Sequence, residues 1–172
     1  TQDYISQREG SFDEAMRGLA NLRKHDVVVM TNTVLTTLNA HQLPEIVETV
    51  RHIAPTRMEF WYYLPMEDYA DERGLLPTME VLIPPLKAAI GRAKAYGFGV
   101  AVKYVPQCLL GEHGDVVDNT QPDVVIVEDF YDVYPQFARL YEAKCEHSES
   151  CLGLPYPYIR LLYTSDAADD PH

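Results

Sequence analysis

Apolar residues recur along this chain in two rhythms that take turns. SFDEAMRGLANLRKH, residues 11–25, sets Phe12, Ala15, Met16, Leu19 and Leu22 at helical spacing, with Ser11 and Glu14 as an S-x-x-E capping box. DVVVMTNTVLT follows, and its unbroken β-branched run from Val27 to Val29 predicts a strand buried on both faces. LPEIVETVRHI returns to helical spacing through Leu43, Ile46, Val47, Val50 and Ile53, with Pro44 tolerated in the first turn. RMEFWYYLP predicts a second strand ending at Pro65. LIPPLKAAIGRAKAYG predicts a helix with Pro84 and Pro85 near its start and Gly97 at its end. FGVAVKYVP is a third strand, again stopped by proline.

Helix and strand alternate with short connections, so the pattern predicts an α/β fold with a parallel sheet. Ligands of such sheets bind where the strands end, at their carboxyl edge. This directs attention to Thr31, Asn32, Thr33 and Asn39, to Tyr62, Tyr63 and Pro65, and to Cys108 just past the third strand. Three strands make a small sheet, and the opening helix has no strand before it. The chain is therefore expected to be a fragment whose upstream βα units are missing. At the other end, SDAADDPH has no apolar period and is expected to be a disordered acidic tail. The run Leu161 to Asp170 also resembles the conceptual translation of a sequencing-library adaptor, which would place the native break near Arg160.

Composition narrows the function classes. The chain has 172 residues, 47% of them hydrophobic and 23% charged, as in ordinary globular proteins. A formal net charge of −12 argues against a nucleic-acid partner. No stretch reaches the roughly 18–20 apolar residues of a membrane span, which argues against a membrane partner. The opening TQDYISQREG carries no signal-peptide core, and three cysteines, an odd number, do not make a secreted disulfide framework. A cytoplasmic location is the expectation.

Three thiols are the most distinctive chemistry: Cys108 in VPQCLL, then Cys145 and Cys151 in KCEHSESCLGLPYPY. They suit a Cys3His zinc site completed by His147 or His113, although short C-x2-4-C spacings are more usual for zinc. They also suit three unrelated small hydrophobes. Of the carboxylates, Glu67, Asp68, Asp71 and Glu72 form an acidic loop that reads as solvated or divalent-binding. Glu128, Asp129 and Asp132 follow a predicted buried strand in VVIVEDFYDVYPQF, where they would line a pocket or end the strand. His25, His41 and His52 have no ligand-like partner at helical spacing. No G-x-S-x-G, P-loop or G-x-G-x-x-G occurs.

The order of these segments resembles the radical S-adenosylmethionine (radical SAM) superfamily. The resemblance rests on the first helix, on Asn32, Val34 and Asn39 around the first strand, and on Leu43-Pro44-Glu45-Ile46-Val47 opening the next helix. It extends through Leu64-Pro65, VPQC and the late C-x5-C-x-G run, covering roughly Tyr4 to Ile159. It implies a partial (β/α)6 TIM-like barrel of about three βα units over 1–107, a SPASM- or twitch-like cysteine-bearing extension over 108–160, and an adaptor-derived tail over 161–172. By resemblance, Asn32 would hydrogen-bond S-adenosylmethionine, while Val34, Leu64 and Pro65 would pack against its adenine. Cys108, Cys145 and Cys151 would hold an auxiliary 4Fe-4S cluster. The implied activity is generation of a 5′-deoxyadenosyl radical that abstracts hydrogen from a substrate, a peptide among the candidates. Flavodoxin or ferredoxin would supply the electrons. The chain departs from the family in one large respect. The C-x3-C-x2-C triplet that holds the catalytic cluster is absent, so the chain alone is expected to be inactive. The reading from another class is a non-catalytic α/β binding module with a structural zinc.

Overall fold

The computed structural model describes residues 1–65, 71, 73–120, 137–138, 145–147 and 149–168. After a short helix α1 (Gln2–Ser6), helix α2 (Ser11–Lys24) leads into β1 (Met30–Leu35). Then come α3 (Leu43–Val50), β2 (Arg57–Tyr62), α4 (Met79–Ala95), β3 (Gly99–Lys103) and the single turn α5 (Gln107–Leu110). A small β4 (Phe137–Ala138) pairs antiparallel with β5 (Leu154–Pro155), and α6 (Tyr156–Ala168) follows directly.

The three long strands form one parallel sheet in the order β1-β2-β3. Helices connect them, because a parallel neighbour can be reached only by a crossover. Past β3, Val117 bridges Val102 in parallel, and the Asp118 N–H donates to the Val102 carbonyl at 3.0 Å, so the sheet continues for one more step. Among the described residues the sheet is open and does not close into a barrel. The strand expected in VVIVEDFYDVYPQF, running into Glu128, lies outside the described residues.

Helices α3 and α4 pack together over one face of this sheet. From β2, Met58, Phe60 and Tyr62 point into that layer, and Leu43, Val47, Leu82, Leu86 and Ile90 meet them. The apolar stripe expected for α3 is the buried one. In α4 the stripe begins earlier than the prolines suggested, at Met79 and Leu82, so Pro84 and Pro85 sit inside the helix. Burial of those two side chains outweighs the hydrogen bonds that the prolines forgo.

Three other expectations change. The Val27–Val29 run is not a doubly buried strand: pairing starts at Met30, and Val27 and Val28 are 47% and 73% exposed. Among the described residues β1 is the edge of the sheet, and Val27 and Val28 precede its paired stretch, while Val29 of the same run is buried. Ser11 does not form the capping box. Gly10 takes the N-cap position at φ 76°, and Asp3, from helix α1, accepts from the Gly10 N–H at 2.7 Å, the Phe12 N–H at 2.8 Å and the Ser11 hydroxyl at 2.9 Å. A carboxylate is the stronger acceptor at a helix N-terminus, and these donors hold Asp3 below the usual carboxylate range. Finally, the expected disordered tail is helical as far as Ala168. Tyr158 anchors that helix in the core and accepts the Met79 N–H on its hydroxyl at 3.3 Å. Once anchored, a helix extends at little cost per residue.

Candidate functional site

The sheet face opposite the helices carries a different kind of side chain. Strand register sets three rungs across it: Met30–Arg57–Gly99, Asn32–Glu59–Ala101 and Val34–Trp61–Lys103. A strand buried on both sides has no reason to alternate Arg57, Glu59 and Trp61 with Met58, Phe60 and Tyr62. This period-two pattern in RMEFWY was readable in the sequence, yet it becomes a site only when β1 and β3 align beside it.

An ion-pair chain organises the face. Arg57 Nε lies 3.0 Å from Glu59 Oε1, and Arg57 Nη2 lies 2.7 Å from Asp118 Oδ2. The Trp61 indole N–H donates to Glu59 Oε2 at 2.8 Å, which fixes the ring's orientation. The Lys103 ammonium donates to the Thr120 carbonyl and stands 5.2 Å from the centre of the Trp61 ring. Tyr104 meets Trp61 edge-on at 6.2 Å and stacks on Phe137 at 5.7 Å. Its φ of 66° is costly for an aromatic residue. Asn119 Oδ1 accepts the Tyr104 N–H at 2.9 Å and holds that conformation at the carboxyl end of β3.

Asp118 is held well below the ordinary carboxylate range, at about 2, first by the Thr120 hydroxyl, then by Arg57 and the Thr120 N–H. A folded-state value below the unfolded one gives stability that is complete above the unfolded value and fades as pH falls toward the folded one. In urea titrations, wild type is therefore expected to exceed Asp118→Asn in stability at about pH 6, with the gap closing as pH falls from about 4 to about 2. A gap that stays constant over that range would contradict the assignment.

The residues singled out from sequence divide into two groups. Asn32 and Val34 are exposed on the open face, in register with Glu59 and Trp61. Leu64 and Pro65 lie past the carboxyl end of β2, where Leu64 packs against the core and Pro65 is buried. Asn39 is structural: its Oδ1 accepts the Thr36 N–H and its Nδ2 donates to the Val34 carbonyl, both at 2.8 Å, which closes the turn after β1. Tyr62 points into the helix layer and donates its hydroxyl to the Pro77 carbonyl; burial raises its phenol far above the ordinary value. Tyr63 is raised more mildly, by burial and then by Asp71. Asp71 spends its carboxylate on the Leu75 and Leu76 N–H groups at 2.8 and 2.6 Å, so it closes a turn rather than holding an ion. Glu67, Asp68 and Glu72, and likewise Glu128, Asp129 and Asp132, lie outside the described residues.

All three thiols are free. Cys108 is exposed on α5, Cys145 is half-buried and Cys151 is buried. The Ser150 hydroxyl donates to Gln107 Oε1 at 3.3 Å, tying the Cys145–Cys151 loop to α5. Cys108 is raised above the usual thiol value, first by burial, then by the fields of Cys151 and Cys145, so the three share one neighbourhood. The Gly153 N–H donates to Cys151 Sγ at 3.3 Å. The donors thus suit a soft metal in kind. In position they do not yet close on one: among the described residues no three His, Cys, Asp or Glu side chains stand together as an ion site. Of the two histidines considered for zinc, His113 Nε2 lies 3.9 Å from Glu112 Oε1, and His147 offers its carbonyl to the Cys151 N–H at 2.8 Å.

No family model, curated protein or solved structure matches the chain. Among the described residues, no helix is long and apolar enough to cross a membrane.

Proposed function

We propose that this chain is the C-terminal part of a radical SAM enzyme, a half-barrel followed by a cysteine-bearing extension. The observation that carries the reading is the polar character of the sheet face opposite the helices. Parallel sheets bury both faces, and one awaiting a second helix layer would be apolar there. This face instead presents Asn32, Arg57, Glu59, Trp61 and Lys103, which suits the lining of a ligand-holding barrel interior. Cys108 adds to it by standing just past the carboxyl end of β3, with the other two thiols in its field.

When bound, S-adenosylmethionine beside a reduced iron–sulfur cluster supplies a hydrogen-abstracting radical. The residues of this chain do the positioning. Asn32 offers an exposed amide to the polar part of the cofactor, and Val34 beside it offers apolar surface. Leu64 and Pro65, at the strand end, shape the rim. Cys108 on α5, with Cys145 and Cys151 on the later loop, would hold an auxiliary cluster. The substrate class, with peptides the first candidate, the flavodoxin or ferredoxin donor and the cytoplasmic location belong to the same reading.

Anaerobic reconstitution of the chain with iron and sulfide tests it. Broad thiolate-to-iron absorbance in the visible is expected, and Cys145→Ala should abolish it. Absence of that absorbance removes the auxiliary cluster. Stoichiometric zinc in its place would favour the binding-module reading.

A further inference from the structure

We propose that the rung Val34–Trp61–Lys103 is a binding site for a small carboxylate with a flat, apolar body. Lys103 is 4% exposed, and among the described residues its ammonium meets the Thr120 carbonyl and the Trp61 ring. Among the described residues no carboxylate is within ion-pair distance of it. The two nearby acids are engaged elsewhere: Glu59 with Arg57 and Trp61, Asp118 with Arg57 and Thr120. Asp118 feels the Lys103 charge but makes its ion pair with Arg57, so the buried ammonium has a carboxylate in its field and none in direct contact, and a ligand anion would supply that contact.

The rest of the rung describes the body of that ligand. Exposure falls along it from Val34 at 45%, through half-buried Trp61, to Lys103. A molecule entering over β1 thus slides along apolar surface before its charged end reaches the ammonium. The Trp61 ring is locked by its bond to Glu59, so it offers a preformed flat wall. The strained Tyr104 backbone lies next to Lys103, at the strand end where parallel sheets bind ligands. One ammonium with two unused donors matches one carboxylate; a phosphate would call for more. The site is independent of the thiols and of any metal they hold.

Trp61 is the chain's only tryptophan, so its fluorescence reads the site directly. Titrating the metal-free full chain with benzoate is expected to give a saturable change in emission. Benzamide, similar in shape but uncharged, is expected to bind about tenfold more weakly or worse, and Lys103→Met should weaken benzoate by a similar factor. No saturable response to benzoate, or equal responses to benzoate and benzamide, overturns the proposal. The benzamide comparison uses the unaltered chain, so it decides the matter even where Lys103→Met fails to fold. Inorganic phosphate competing as well as benzoate would overturn the assignment to carboxylates. None of these outcomes depends on iron–sulfur reconstitution.

Discussion

Replacing Phe60 by alanine is expected to destabilise the chain by about 3–5 kcal/mol, read as a lowered urea midpoint at unchanged slope. Phe60 is 0% exposed on the central strand, level with Thr33 of β1 and Val102 of β3, beneath the α3–α4 layer. The cavity would open where sheet and helices meet, and neither can move in without breaking strand register. Against a typical domain stability of about 5–15 kcal/mol, that is a large share. A loss below about 1 kcal/mol would mean that the helix layer does not rest on β2 as described.

The second large effect is expected on the other face. Arg57→Ala removes the cation that pairs with both Glu59 and Asp118 and, among the described residues, leaves Glu59, whose side chain is 13% exposed, with the Trp61 N–H. Breaking a fully buried pair costs about 3–5 kcal/mol; the partial exposure of Arg57 and Asp118 lowers the expectation here to about 2 kcal/mol. Adding Glu59→Gln to Arg57→Ala should recover part of that loss, because the stranded charge is gone. A double-mutant cycle measures the coupling. Strictly additive losses would show that Arg57 and Glu59 do not act as a pair. Trp61 emission should also shift in Arg57→Ala, since the ring's anchor is disturbed.

The two faces of the sheet were not equally legible. The helix layer follows from local spacing: Leu43, Val47 and Val50 on one turn sequence, Met79, Leu82, Leu86, Ala89 and Ile90 on another. Such stripes announce both the helix and the side it buries. The open face was written just as plainly in the alternation of Arg57, Glu59 and Trp61. Its meaning, however, depends on which neighbours the strand acquires. Val27 to Val29 shows the limit. Three β-branched residues suggest a buried strand, yet only Val29 is buried, because strand pairing starts at Met30, a fact of strand alignment rather than of those residues.

The same distinction runs through the chemistry. Cys108 could be placed at a strand end from its own neighbourhood. That the fields of Cys145 and Cys151 reach it spans dozens of residues, which no local pattern encodes. Asn39 read as a motif residue and proved to be a turn-closing one, because hydrogen-bond partners on Val34 and Thr36 are set by the folded loop. Lys103 drew no attention as the last charge of a strand. Its burial, its seat on Trp61 and the lack of an ion pair among the described residues arise only once β2, β3 and residues 118–120 are assembled.

By itself, then, the sequence determined the alternating elements, the parallel sheet and the apolar side of α3 and α4. Backbone periodicity and side-chain spacing are local, and they act within a few residues. The tertiary structure alone decided how the polar sheet face is assembled, which charges are paired and which buried cation has no ion pair among the described residues. Burial and ion pairing depend on what packs alongside, and that is a property of the whole chain.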